Sequence, residues 1–524
     1  MNPTEKPHSH MKSHFCCPSQ DIPDSHSDDM SRRKFIKVAG GSTLSVAALS
    51  GLSWSAIAGT NLEEQTGIIR QSLLVKPILV YSTPEYRHQS SWRSWGGIQT
   101  EKDADEEITR IKGELGNLKS VADFPLKFLP VTGIKGSEDI GKIPDLESAD
   151  VFLIYAAGGW MDTFDALHKM NKDMIFFCRH KSGPVYLWYE IISPRYLRQH
   201  TDRLAVSGVD EQDVVIDSQD EILWRLRALC GLKNTLNTGI IAIGGAGAWA
   251  QPQGVVPDLI EKKFRFRIQS LSYDELGKLI SEARKDKSAI SRAAKRAAEY
   301  LGENGITLET KREYVDNCFL LEEVLRKIMD SADSRAITIN GCMGTIMPLA
   351  ETSACLTLSL LNDAGYLSFC ESDFVVIPAG VLLANISGKP VFLNDPTYPH
   401  DGIITLAHCT APRRMDGRNR EPARILTHFE SDYGAAPKVE MHTGQIVTNI
   451  IPDFQVSQYV GLKGTIIDHP FMDICRSQID ISFDVDSNIL AKRMPGFHWM
   501  TGYGDYLRET GYALKRLGIE WEQL

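Results

Sequence analysis

The chain has 524 residues, more than one hydrophobic core usually holds, so several domains are expected. Hydrophobic residues make up 43% and charged residues 24% of the sequence, as in ordinary globular proteins. A formal net charge of -10 provides no positive field for nucleic acid or for an anionic membrane surface. A small neutral or metal-bound ligand fits this charge better.

A basic pair near the N-terminus predicts export. In "SRRKFIKVAGG", residues 31–41, Arg32 and Arg33 stand side by side before a weakly apolar run, which is typical of a twin-arginine signal. The alternative is a chance basic pair before a buried helix. Export would make the twin-arginine machinery a partner of the precursor and would place the protein in the periplasm or outside the cell.

The end of this leader is also suggested by the sequence. Residues 56–58, Ala-Ile-Ala, offer the small side chains of a cleavage site, so we predict signal and leader over residues 1–58. The apolar run is too short and too rich in serine and glycine for a good membrane span, so no membrane association is expected after cleavage. Met1 and Met30 both remain possible starts.

The cysteines are predicted to be buried thiols rather than disulfides. Of ten in the sequence, two lie in the leader, and the others are scattered through apolar contexts. No CxxC pair occurs, so a zinc site built on thiolates has little support. The eight are Cys178, Cys230, Cys318, Cys342, Cys355, Cys370, Cys409 and Cys475.

Alternating apolar runs and helical patterns predict two Rossmann-like, parallel-sheet α/β domains, at 66–180 and 181–366. Helical spacing covers 103–120 in the first domain. The first predicted strands are "KPILVYS" (76–82), "ADVFLIYAAGG" (149–159), "DMIFFCR" (173–179) and "PVYLWYE" (184–190). In the second block we predict strands in 237–245 and 334–341 and helices in 272–305 and 311–333.

From residue 367 to 524 the sequence changes to short apolar runs separated by Gly, Pro and Asp. This pattern predicts a β-rich C-terminal domain, barrel-like or a sandwich. A cleft is expected where this domain meets the second α/β domain.

The glycine-rich stretch "IGGAGAWA", 243–250, has the spacing of a dinucleotide fingerprint. The match is weak because Pro252 and Pro257 interrupt the helix that such a fingerprint should open, and no acidic residue follows at the right distance. A glycine turn that lines a cleft is the main alternative.

Three carboxylates stand out in an apolar context. Glu351 is predicted in the first turn of a helix over 351–365, at the end of an α/β sheet where ligands bind. Glu371 and Asp373 follow the short run "YLSFC", 366–370, with the same parity, so both could face one side. The alternative is that these acids only cap helices.

Two histidines are candidates for the same end of the sheet. His408 follows an apolar run, and His498 is predicted in a glycine-rich aromatic loop. Trp499 and Tyr503 would then offer a flat surface to a sugar. Two carboxylates and an imidazole suit Mn²⁺ or Mg²⁺, with positions open for sugar oxygens.

The run from 351 to 412, "ETSACLTLSLLNDAGYLSFCESDFVV" and its continuation, resembles the L-fucose isomerase and L-arabinose isomerase superfamily. The resemblance is good over roughly 337–430 and loose elsewhere. It implies that Glu351, Asp373 and His498 hold manganese and that the two acids also move protons. Arabinose members further imply Glu371 and His408.

The sequence also departs from this family. Where arabinose enzymes carry a second metal-binding Glu before an Asp, this chain has Asn394 before Asp395, and His498 precedes Trp499 where relatives often have a paired His. Relatives are cytoplasmic, whereas this chain carries an export signal. These differences leave the substrate open.

The resemblance implies a metal-dependent aldose-ketose isomerase that works through an enediol, in which a base removes the C2 proton and an acid returns one at C1. It also implies a trimer or hexamer, in which Arg87 and Trp92 of one subunit reach the sugar site of another. The alternatives are a non-catalytic exported sugar-binding protein and an exported nucleotide-dependent sugar oxidoreductase.

Overall fold

A computed structural model describes residues 52–58 and 67–524 of the chain. The arginine pair of the predicted signal lies outside these residues. The described chain divides into two compact units. The N-terminal unit comprises Ile69–Thr235 and Tyr506–Trp521. The main unit comprises Leu236–Asp505, Glu522–Leu524 and the described residues before Ile69.

The N-terminal unit is built on a parallel sheet of six strands with apolar clusters on both faces. Parallel strands covered on both faces consist of continuous apolar runs, and "VFLIYA" is buried throughout. In spatial order the strands are Leu126–Phe128, Leu73–Val80, Val151–Ala156, Asp173–Cys178 and Val214–Ile216, and Thr132–Ile134 also pairs with Leu73–Val80.

The helices of this unit include the predicted acidic one, which begins at a capping box formed by Thr100 and Asp103. The segment "PVYLWYE" was predicted as a strand, and this is wrong: its second half forms a helix. The helical segments are Glu101–Val121, Ser137–Lys142 (3-10), Met161–His168, Leu187–Ile191, Ile192–Leu197 (π), Glu211–Asp213 (3-10), Gln219–Thr235 and Leu507–Lys515.

The main unit contains a second parallel sheet. Its four strands, in spatial order, are Leu367–Cys370, Ala336–Ile339, Gly239–Ile243 and Arg267–Leu271. Its helices are Trp54–Ile57, Val255–Lys263, Tyr273–Ala283, Lys287–Leu301, Arg312–Ser331, Ile346–Ala350, Cys355–Asp363, Ile377–Ser387 and Ser487–Lys492.

The C-terminal part of the main unit forms a closed, six-stranded antiparallel barrel. In order around the barrel the strands are Ile446–Pro452, Trp499–Tyr503, Phe392–Pro396, Ile403–His408, Ser477–Ser482 and Gln458–Asp468, which pairs again with the first. A small separate sheet contains Tyr433–Val439, Ala423–His428 and Ile306–Leu308, and the chain's last strand is Glu520–Gln523.

The α/β class with parallel sheets and a barrel-like C-terminal part is therefore confirmed in general terms. The predicted boundaries differ from the observed units. A boundary at residue 180 would divide the first sheet, because strand Val214–Ile216 pairs with Asp173–Cys178. Residue 367 lies inside the second sheet, and the barrel begins only at Phe392.

Residues 52–58 pack against the helices of the main unit, to which they belong. Trp54 begins a short helix; its backbone N–H donates to Glu282 and its indole N–H donates to Asp286. The buried Lys327 ammonium donates to the carbonyls of Ile57 and Ala58. No helix in the described ranges combines the length and apolar character needed to cross a membrane.

Candidate functional site

The candidate site lies where the second sheet meets the barrel, inside the main unit. Glu371 directly follows strand Leu367–Cys370, and Asp395 lies in barrel strand Phe392–Pro396. His408 is the last residue of the next strand, Ile403–His408. His498 is the last residue of the loop that precedes strand Trp499–Tyr503, as the sequence had suggested.

The register of the barrel brings three of these side chains together. Asn394 lies opposite Trp499 in the antiparallel pair, so the next position places Asp395 opposite His498. On its other side Asp395 lies opposite Ala407, the neighbour of His408. One donor atom from each of Asp395, His408 and His498 lies within 4.8 Å of the others.

Glu371 completes this group from the second sheet. Its Oε1 lies 3.7 Å from Nε2 of His408, and its Oε2 lies 3.4 Å from Nε2 of His498. His498 Nε2 also lies 3.2 Å from Oδ1 of Asp395. The four side chains, Glu371, Asp395, His408 and His498, are referred to below as the carboxylate–imidazole group.

Asp373 contacts this group from behind. Its Oδ2 lies 2.7 Å from Nδ1 of His498, and its Oδ1 accepts hydrogen bonds from the backbone N–H groups of Trp249 and Val375. The Asp373 side chain is 1% exposed. Asp373 therefore fixes the orientation of His498, while the other ring nitrogen faces Glu371 and Asp395.

The turn that carries these acids is strained. Glu371 and Ser372 have φ angles of 63° and 47°, in the left-handed region that side chains with a Cβ rarely adopt. The Ser372 N–H donates to the Thr338 hydroxyl, which helps to hold the turn. Such strain costs about 1–3 kcal/mol per residue and is concentrated at functional sites.

Charges in the group shift one another's ionisation. Burial raises the pKa of Glu371, but His408 and His498 outweigh it and hold that pKa well below its usual range. Burial alone would lower the pKa of His498, but the surrounding carboxylates outweigh burial and raise that pKa well above its ordinary value. Burial alone would lower the pKa of His408, but the carboxylate of Glu371, 3.7 Å away, outweighs burial and raises that pKa. The site is therefore organised around paired positive and negative groups.

The structure does not bring Glu351 to this group. The predicted helix over 351–365 begins only at Cys355, and Glu351 is instead the left-handed cap of helix Ile346–Ala350. Its carboxylate is 54% exposed and pairs with Arg284 at 2.8 Å. Pro348 lies in the first turn of the preceding helix, where its missing N–H costs nothing.

Trp499 and Tyr503 are also not placed to face a ligand. Both are buried in the hydrophobic core of the main unit, at 0% and 1% exposure. The Tyr503 hydroxyl accepts a hydrogen bond from the His442 N–H and donates one to Glu421. The strand pleat directs these rings into the core.

Another aromatic pair lies beside His498. Trp249 and Phe497 stack with ring centroids 3.9 Å apart, and Phe497 lies 4.7 Å from the His498 ring. Both rings remain partly exposed. Trp249 belongs to the glycine-rich loop, whose Gly247 forms a bridge with Asp373. That loop therefore borders the site, and the next helix begins only after Gly254.

Arg87 and Trp92 lie in the N-terminal unit. Arg87 is exposed, and Trp92 packs edge-on against Tyr86, with ring centroids 5.2 Å apart. The guanidinium of Arg93 lies over the Trp92 ring. Their predicted role in binding sugar from a neighbouring subunit stays a prediction.

Sequence reasoning missed Asp395. It compared position 394 with the family's second metal-binding glutamate, but the Asn394 side chain donates to the Thr501 hydroxyl and is fully buried. Because successive residues of a strand face opposite sides, the next side chain faces the site. The sequence signal that could have identified this ligand is the aspartate that directly follows Asn394.

The chain was compared with known proteins. No family model matches it, and no curated protein shows significant similarity to it.

Proposed function

We propose that this protein is a metal-dependent aldose-ketose isomerase. The observation that supports this proposal best is the convergence of two carboxylates and two imidazoles, Glu371, Asp395, His408 and His498, at the junction of a parallel sheet and a barrel. The group retains Glu371, His408 and His498 from the resemblance and adds Asp395. It leaves out two of the predicted ligands: Glu351, which lies elsewhere, and Asp373, which contacts the other nitrogen of His498.

The side chains fit a divalent cation. Two carboxylate and two imidazole ligands form a mixed oxygen and nitrogen set that suits Mn²⁺, and Mg²⁺ less well. Glu371, Asp395, His408 and His498 would hold the ion. When bound, such an ion supplies positive charge that stabilises the oxygens of an enediol.

The acids of the group would carry the protons. Isomerisation requires removal of the proton from C2 of the sugar and delivery of one to C1. Glu371 and Asp395 are the two carboxylates of the group, and they approach His498 Nε2 from two different strands. We assign proton transfer to this pair, whereas Asp373 keeps His498 in its ring orientation.

The stacked pair Trp249 and Phe497 would bind the sugar. A flat apolar surface packs against the C–H face of a pyranose or furanose, and these rings are partly exposed beside His498. This replaces the predicted role of Trp499 and Tyr503. The aldose that serves as substrate would be identified by testing a panel of aldoses for conversion.

The experiment combines metal content with turnover. We expect the purified full chain to bind Mn²⁺ and to convert at least one member of a panel of aldopentoses and aldohexoses into its ketose. Binding of sugar and metal without conversion would favour the non-catalytic sugar-binding protein. Retained nucleotide with neither metal nor isomerisation would favour the oxidoreductase.

A further inference from the structure

A second group of side chains that could bind a metal lies next to Glu371 and His408 of the carboxylate–imidazole group. Cys355 begins helix Cys355–Asp363, Cys409 follows strand Ile403–His408, and His428 ends strand Ala423–His428. One donor atom from each of Cys355, Cys409 and His428 lies within 4.8 Å of the others. All three side chains are buried. We call these three residues the thiol–imidazole cluster.

The cluster adjoins an ion-sized cavity. The Cys409 thiol contacts those of Cys355 and Cys475. Cys355, Cys409, Cys475 and His428 all border a cavity of about 20 Å³. A space of this volume holds a single water or ion and no larger ligand. The donor side chains therefore line a space large enough for one ion.

Apolar packing accounts for buried cysteines but not for the histidine. Thiols fill core space as small hydrophobic groups, whereas a buried imidazole needs polar partners for both of its nitrogens. The Ser431 hydroxyl lies 3.0 Å from Nδ1 of His428. Metal-bound histidines usually have one nitrogen held in this way, which leaves Nε2 for the ion.

We propose that Cys355, Cys409 and His428 bind a thiophilic divalent ion, Zn²⁺. Two thiolates balance its two charges, so the buried site is neutral overall, and the two thiol protons are released on binding. The fourth position faces the cavity, which has room for a water. This site is independent of the proposed isomerase chemistry, because its sulfur ligands prefer softer ions than the carboxylate–imidazole group does.

This proposal reverses an expectation from the sequence. The absence of a CxxC pair gave a thiolate zinc site little support. The ligands instead come from a helix and two strands far apart in the chain, and only the fold brings them together. Short spacing motifs describe sites built on one loop, so a site of this kind has no local sequence signature.

Cobalt substitution of the full chain tests the proposal. Co²⁺ bound by thiolates gives an intense sulfur-to-metal charge-transfer band in the near ultraviolet, which oxygen and nitrogen ligands alone do not give. We expect this band in the wild-type protein, and we expect Zn²⁺ to displace it. Cys355→Ser and Cys409→Ser should lose the band, whereas Cys230→Ser, a buried cysteine of the N-terminal unit, should keep it.

A further variant separates this site from the proposed isomerase site. Glu371→Gln should weaken metal binding by the carboxylate–imidazole group but leave the charge-transfer band of the thiol–imidazole cluster unchanged. Bound Co²⁺ without a band in the wild type would overturn the proposal, even if the cysteine variants fail to fold. A Cys355–Cys409 disulfide, seen as a loss of two hydrogens in the intact mass, or a band that persists in Cys355→Ser, would overturn it as well.

Discussion

Nδ1 of His498 lies 2.7 Å from Oδ2 of Asp373, and Nε2 of the same ring faces Asp395 and Glu371. The ring therefore links a carboxylate behind the site to the two carboxylates inside it. This relationship separates Asp373, which positions a side chain, from the acids that would contact a metal and a sugar.

Asp373→Asn should lower metal affinity without removing the proton-transfer groups. The asparagine oxygen can still accept from the N–H groups of Trp249 and Val375, which directs its NH₂ group at Nδ1 of His498. That NH₂ group favours the proton on Nε2, where it blocks a metal. We expect a 10- to 100-fold loss of Mn²⁺ affinity, typical of outer partners of metal ligands.

Metal titrations of the Asp373→Asn variant, followed by turnover at saturating Mn²⁺, would measure this effect. Recovery of most of the turnover is expected. A variant that binds Mn²⁺ normally but stays inactive would instead give Asp373 the proton-transfer role that the family resemblance implies.

Glu371→Gln and Asp395→Asn should each lose turnover that excess metal does not restore. Loss of a general acid or base costs about 10² to 10⁴ in rate. Glu351→Gln is the matched control, because its carboxylate is exposed and pairs with Arg284. Steady-state rates and metal per chain for the three variants check this. Loss of activity in Glu351→Gln would contradict the assignment of Glu351 to a position outside the site.

A buried ion pair should dominate the stability of the N-terminal unit. Arg179 is fully buried; its Nε lies 2.5 Å from Glu107, and its terminal nitrogens bind Glu114. Arg179→Met removes the buried cation of Glu107 and leaves that carboxylate only the half-exposed Arg110, so we expect a loss of about 3 kcal/mol, at the lower end of the range for a broken buried pair. Arg198→Met, at an exposed pair with Glu211, should cost about 0–1 kcal/mol. Urea unfolding of both variants gives the comparison, and equal losses would contradict this account.

Asp363 should make the folded state less stable as pH rises. Burial raises its pKa to about 6, so between the unfolded value of about 3.9 and pH 6 the folded state binds more protons. The stability that the neutral carboxyl contributes to the folded state is fully present below about pH 3.9. It falls as pH rises from there and is lost above about pH 6. Two pKa units correspond to about 3 kcal/mol.

Asp363→Asn keeps the acceptor for the Arg414 N–H but cannot ionise. Its free energy of unfolding, compared with that of the wild type, should therefore be about 1–3 kcal/mol more favourable at pH 8 than at pH 4. Free energies of unfolding at both pH values test this. Asp401→Asn, at a carboxylate that is 93% exposed, is the control and should show no such difference. An equal effect of Asp363→Asn at both pH values would refute the prediction.

Export is a prediction about residues outside the described part of the chain. Replacing both Arg32 and Arg33 by Lys should leave the precursor in the cytoplasm, because the twin-arginine pathway reads that pair. Cell fractionation with an antibody to the full chain measures this. Export that is unchanged in the double variant would contradict the predicted location.

Sequence patterns were most informative where one feature decides the structure alone. The runs that became strands Val151–Ala156 and Gly239–Ile243 are continuously apolar and are followed by glycines, which is typical of buried parallel strands. The run "PVYLWYE" is aromatic and is not followed by such a turn signal, and periodicity alone cannot assign it to a strand or a helix. Its helix depends on packing, with Trp188 buried against Phe164.

The candidate site was only partly predictable for a related reason. Glu371, His408 and His498 could be selected because each follows or precedes an apolar run. Asp395 joins them through strand register, which depends on pairing between distant segments. Glu351 was misplaced because a left-handed residue, rather than a helix start, stands at that position.

The contacts at Ile57 and Ala58 have a consequence for maturation. A signal peptidase acts on an extended segment, whereas here the Lys327 ammonium holds both carbonyls and Trp54 is buried. Cutting after Ala58 would therefore require this helix to detach first, so the cleavage rate would report how often it opens. Once the peptide left, Lys327 would lose two acceptors. Maturation would thus change the local stability of the helix that carries Lys327, in addition to releasing a leader.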